Sequence, residues 1–287
     1  MKLLHFSVVR QSERHLDKIT NVDEFVKRVF SVIHSNDPIA RALTLRTLGA
    51  VASIIPERRQ AHHNIRSALD SQDSSELRAA IYAASRFAAL SKSFAVNMCE
   101  KISDMIKGYA TPPEMKLRLI PMFQHMHHDA NTAQIVRQTC IEMLPGYPSE
   151  EFVLVTLHTL TRLSAHTLVD IPDQVDLLLT HLEKDPRKAV MRQILADLRF
   201  VATDDRAHLW TKSNIDALLT FATAHLDDED EALVGALSIL CDLVKATSVS
   251  KVLAHSCGNS NIFLPLRFSV KSVLTNLGCH RLISRKI

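Results

Sequence analysis

From about residue 22 to residue 247 apolar residues recur every three or four positions, in runs broken by polar turns. The run at 36–59, "NDPIARALTLRTLGAVASIIPERR", sets the pattern. Asp37 before Pro38 reads as a helix N-cap followed by proline at the first helical position, where its missing N–H has no intrahelical partner to lose. Leu45, Leu48, Ala52 and Ile55 step along one face. Ile39, Leu43, Gly49, Ala50 and Val51 widen the apolar surface past a single stripe, which predicts a helix covered on more than one side. Ala42, Gly49 and Ala50 are small enough to let neighbouring helices come close, and Pro56 ends the run.

Five further segments share this texture, at 74–92, 112–128, 149–165, 184–205 and 227–247. "KDPRKAVMRQILADLRFVATDD" repeats the Asp-Pro opening at Asp185 and Pro186. The six starts recur at roughly 37 residues with one longer step, a period expected of helical repeat arrays. Between them lie six more amphipathic segments, at 22–34, 59–69, 93–108, 132–144, 172–184 and 214–226. The unit is helix, short turn, helix, with the second helix the more buried. Such a pair cannot cover its own apolar surface, so neighbouring pairs must stack. The expected fold is all-α, a right-handed α-solenoid of ARM/HEAT-type helical hairpins over residues 21–247.

The two ends read differently. Residues 1–20 resemble the remnant of an upstream repeat. Residues 248–287 contain no acidic residue, two of the six glycines and two of the five cysteines, and show no helix pairing. The expectation there is an atypical C-terminal tail, disordered or aberrant, on a chain cut at both ends.

Composition agrees with helices. Six glycines and 5% aromatics in 287 residues leave few turn glycines for a sheet protein. A net charge of +3, set against 34 basic and 31 acidic residues, gives no pull toward or away from nucleic acid. Cys99, Cys140, Cys241, Cys257 and Cys279 are scattered without a CxxC pair, which suits reduced thiols in an intracellular protein. The opening "MKLLHFSVV" is too short and interrupted for a signal peptide, and no apolar run approaches the ~20 residues of a membrane span.

Candidate chemistry is sparse. In "HMHHDA" (125–130), His125 and His128 could share a helix face beside Asp129, and zinc accepts imidazole and carboxylate. No second ligand pair accompanies them, and histidines near a helix C-terminus also interact well with its dipole. A helix-end cluster is the expected reading, and the same holds for "AHHN" (61–64). The acidic run Asp227, Asp228, Glu229, Asp230 and Glu231 lacks the spacing and glycine of a calcium loop and reads as a solvated helix start. "PERR" (56–59) and "KDPRK" (184–188) read as solvated basic turns. No P-loop, dinucleotide fingerprint, HExxH or nucleophile elbow occurs. Catalytic, cofactor-binding and metal residues are therefore not expected, and neither is an enzyme.

The residues themselves resemble a known family. "NVDEFVKRVFSVIHSNDPIARALTLRTLGAVASIIPERR", "AHHNIRSALDS", "KLRLIPMFQHMHHDA", "TLHTLTRL", "LVDIP" and "KDPRKAV" are similar to runs of the Integrator complex subunit seven family, from about residue 10 to about 245 and most strongly over 21–70. The resemblance implies a non-catalytic scaffold that contacts other Integrator subunits and, through them, the RNA polymerase II machinery. It implies a role in 3′-end processing of small nuclear RNA and other nascent transcripts, with nuclease and phosphatase activities in other subunits. It implies nuclear localisation, with the cytoplasm as a second compartment, and a link to DNA-damage signalling. No direct nucleic-acid contact and no membrane are implied, and no family site residue carries over. The alternative is a HEAT-type transport adaptor or nuclear import receptor. That reading needs an acidic or aromatic-lined groove, and Trp210 is the only tryptophan. A basic stripe along one face would favour an RNA binder, and an apolar seam a protein partner.

Overall fold

The computed structural model describes residues 13–18, 21–203, 205–224 and 231–254. Among them the regular structure is helical, in two compact units, Met1–Gly146 and Tyr147–Ile287.

The first unit holds α1 (Val22–Ile33), α2 (Pro38–Ala50), α3 (Arg59–Ala68), α4 (Ser74–Leu90), α5 (Lys92–Lys107), α6 (Pro113–Leu119) and α7 (Ala130–Met143). Polar side chains start most of them. Asn21 accepts from the Glu24 N–H, Asp37 from Ile39, Asp73 from Ser75 and Glu76, Ser91 from Phe94 and Asp129 from Thr132. Each such cap is worth about 1 kcal/mol.

α2 is the expected buried helix but stops at Ala50, and the apolar run expected to continue to Pro56 tightens into a 3-10 segment over Ala52–Ile54. Leu45, Leu48, Ala52, Val51 and Ile55 are all buried. Ile39 departs from the expectation. It stands in the first turn and is 63% exposed. α2 packs along α4, whose Ala79, Ala80, Ala83 and Ala84 are buried. At Gly49 the two backbones come so close that a Cβ would stand 2.8 Å from the Tyr82 ring and 3.0 Å from the Ala83 Cα.

The segment expected as one helix over 112–128 is not continuous. α6 ends at Leu119 and the chain tightens into a 3-10 helix over Ile120–His125. Pro121 is the reason, because it donates no hydrogen bond and its ring crowds the carbonyl four residues back.

The second unit holds α8 (Glu150–Ser164), α9 (Ile171–Lys184), α10 (Lys188–Val201), α11 (Lys212–Ala224) and α12 (Glu231–Ala254). α8, α10 and α12 pack in succession, and α9 packs on α8, α10 and α11. Asp185–Pro186 repeats only part of the cap seen at Asp37–Pro38. The Asp185 carboxylate accepts from the Arg187 backbone N–H at 3.1 Å and from its guanidinium at 2.8 and 2.5 Å, and α10 begins only at Lys188. The bond to the backbone N–H two residues on matches that of Asp37 to Ile39 at 3.0 Å, and the added grip on the Arg187 side chain is what differs. Trp210 is buried, with its indole N–H donating to the Val201 carbonyl at 3.0 Å.

Candidate interaction surface

The histidines singled out by sequence lie apart. His125 ends the 3-10 segment, Met126 is buried, and Asp129 is the N-cap of α7. His125 and His128 therefore share no helix face. The Asp129 carboxylate accepts from the Thr132 N–H and hydroxyl, both at 2.8 Å, and these bonds hold its carboxyl below the usual range. Partial burial, and then neighbouring His127 with its ring centroid at 4.2 Å, push His128 down. Among the described residues no three metal-ligating side chains converge.

His62 belongs to the first turn of α3, at the N-terminal end of a helix and not the C-terminal one. Its ring packs 4.8 Å from Phe94 and 5.6 Å from Phe87, and its Nε2 lies 2.6 Å from the Pro56 carbonyl oxygen. The basic turns hold loops together. Arg58 pairs with Asp23 at 2.8 Å, and Arg187 donates to the Pro148 carbonyl at 2.9 Å. The run Asp227–Asp230 and the side chain of Glu231 lie outside the described residues, as do Cys257 and Cys279. Burial pushes the Cys140 thiol up to about 12, so it is no nucleophile at neutral pH.

Polar side chains link successive hairpins within each unit. In the first, the Arg41 guanidinium donates to both Glu76 oxygens at 2.9 and 2.8 Å, 35 residues along. That guanidinium, against opposing burial, holds the Glu76 carboxyl below its usual range. Ser93 donates to Glu57 across 36 residues, Arg66 to the Asn97 carbonyl across 31 and Lys101 to Asp70 across 31. In the second unit Asn214 donates to Asp176 across 38 residues, and Arg199 to Asp242 across 43. His158 Nδ1 lies 2.8 Å from the buried Asp197 carboxylate, 39 residues along, and this bond raises the imidazole pKa. These separations are about one repeat length, so these polar groups, most of them exposed and Glu76 and Asp197 among the buried ones, serve as ties between hairpins.

The outward side of α10 carries three cations, of which Arg199 is one of these ties. Lys188, Arg192 and Arg199 are exposed along one side of the helix. Between α10 and α12 a groove of about 240 Å³ is lined by these three with Met191, Leu195 and Gly235 among others. Arg199 is already paired with α12, its Nε lying 3.1 Å from Asp242 Oδ2. A Cβ on Gly235 would stand 3.0 Å from Leu195 Cδ1, so the missing side chain fixes the depth of the groove. Sequence reading singled out Lys188 only as part of a basic turn. The signal for the rest was present in the spacing of residues 188, 192 and 199, which places them on one helix face.

Stacked helical hairpins tied one repeat apart define an all-α helical-repeat protein of the ARM/HEAT-type solenoid class. Solved structures agree at the level of fold. A designed armadillo repeat protein superposes with a TM-score of 0.50 at 14% identity, over 75% of this chain and 98% of that one. An engineered protein does so with a TM-score of 0.50 at 13% identity, over 93% and 71%. The family model described as "Integrator complex subunit 7, N-terminal" matches residues 1–276, and the chain belongs to that family. The match passes both limits, about 10 and about 245, drawn from the quoted runs. The chain is 52% identical to Integrator complex subunit 7 of Gallus gallus over 91% of its length, and 51% identical to that of Homo sapiens over 90%. The protein of Drosophila melanogaster is 53% identical over 76% of the chain. The chain spans 27% of the Gallus gallus and Homo sapiens relatives and 22% of the Drosophila melanogaster one.

Proposed function

We propose that the chain is a non-catalytic helical-repeat scaffold within the Integrator complex, supporting RNA polymerase II-associated 3′-end processing of small nuclear RNA and other nascent transcripts. The family match over residues 1–276 carries this reading. The acidic groups that tie the hairpins support the non-catalytic part. Glu76, Asp176 and Asp197 each accept a hydrogen bond from a side chain about one repeat away in sequence. In this reading residues 21–247 are helix pairs that present surface to other Integrator subunits in the nucleus. No residue is assigned to catalysis, a cofactor or a metal, and nucleic acid is not contacted directly. The buried indole of Trp210 is unavailable to line a cargo groove, which counts against the transport alternative.

Expression of the chain in cells that carry the full-length subunit tests the proposal. Competition for Integrator contacts should raise unprocessed small nuclear RNA precursors above those of cells expressing an unrelated helical-repeat protein. Unchanged precursor levels at matched expression contradict it.

A further inference from the structure

We propose that Thr111, in the turn between α5 and α6, is a phosphorylation site for a proline-directed serine/threonine kinase; the proposal goes beyond the scaffold reading and does not depend on it. Of the ten prolines in the chain, only Pro112 follows a serine or threonine. That dipeptide falls where the fold can present it. α5 ends at Lys107, and the Gly108 N–H donates to the Asp104 carbonyl at 2.8 Å. The chain leaves the helix there in extended form, with Gly108 at φ −66° and ψ 141°. Pro112 is extended again, at φ −60° and ψ 148°, just before α6. No residue from 107 to 114 is buried, and Tyr109 within the turn is fully exposed.

Each part of the dipeptide has a use. Thr111 offers a hydroxyl that no other group among the described residues engages. Proline drives the residue before it toward extended backbone, the form in which a kinase cleft takes its substrate. An apolar kinase pocket closed over the residue after the acceptor leaves a backbone N–H there unpaired, and proline has none to leave. Pro113 follows, so the two residues after Thr111 hold no N–H hydrogen bond that docking would break. In the reaction the Thr111 Oγ attacks the γ-phosphorus of ATP. The Oγ–P bond forms as the bond from that phosphorus to the bridging oxygen breaks, ADP leaves with the electron pair, and the hydroxyl proton passes to a carboxylate of the kinase. The product carries a charge of about −2 at neutral pH where the threonine carried none.

The test is incubation of the chain with ATP and a purified proline-directed kinase, with initial rates measured and the site mapped by mass spectrometry. A single phosphate on Thr111 is expected, at a rate comparable to that of a free peptide of residues 106–116. Thr111→Val should take none. Pro112→Ala should react about tenfold or more slowly, in the chain and in the peptide alike, because its N–H enters the pocket unpaired. Both variants lie in an exposed turn and should melt with the parent, so a lost reaction reads on the site and not on folding. An unmodified chain overturns the proposal, whether or not the peptide reacts. So does phosphate on another residue in place of Thr111, or an equal rate for Pro112→Ala.

Discussion

Replacing Leu48 with aspartate should cost about 4 kcal/mol or more of stability, while Gln134→Asp should cost under about 0.5 kcal/mol. Leu48 is fully buried on α2, facing helices on more than one side, and Gln134 is exposed on α7 of the same unit. The Leu48 variant loses the transfer free energy of an isobutyl group and leaves a cavity around a shorter side chain. It must also bury a carboxylate with no cation placed for it, or take up a proton to avoid doing so. Urea unfolding followed by far-UV circular dichroism reads the difference. Similar midpoints for the two variants would mean that α2 does not present Leu48 to the core.

Gly49→Ala should also destabilise, by about 1–2 kcal/mol, although alanine is the better helix former by about 1 kcal/mol. The clash sets the sign. The new methyl would stand 2.8 Å from the Tyr82 ring edge and 3.0 Å from the Ala83 Cα. Tyr82 has some freedom to move, but the Ala83 backbone belongs to a packed helix. Gly49→Leu should cost about 3 kcal/mol or more for the same reason. Gly146 is the control. Nothing lies within 4 Å of a Cβ there, so Gly146→Ala should stay within about 0.5 kcal/mol of the parent. A Gly49→Ala protein as stable as the parent would contradict the close approach of α2 and α4.

Helices α1 to α5 and α7 to α12 were legible because each carries a period of three to four with polar residues at its start. Four local features escaped that reading, each for a physical reason. Pro121 sits inside an apolar run whose period continues across it, so the pattern hides the break at Leu119. Asp185 matches Asp37 in sequence and in its bond to the N–H two residues on, but it also holds the Arg187 guanidinium, and the helix begins only at Lys188. Ile39 is apolar and still exposed, because a residue in the first turn of a helix need not share the cover of the helix middle. His62 was grouped with helix-end histidines, yet its ring is packed by Phe87 and Phe94, which come from the next helices.

The candidate surface was less legible than the fold. The basic spacing along α10 could be read from one segment. The far wall of the groove could not, because Gly235 comes from α12, 40 residues beyond Leu195, and only packing brings the two together. The ties between hairpins have the same origin. Arg41 and Glu76 look like ordinary surface charges until α2 and α4 are placed side by side.

Affinity capture of the tagged chain from nuclear extract, with quantification of the Integrator subunits recovered, tests the scaffold claim most directly. The account predicts that Integrator subunits are enriched over an untagged control and over the Leu48→Asp variant. Recovery of no Integrator subunit, or of import cargo or vesicle-coat components in their place, would contradict it.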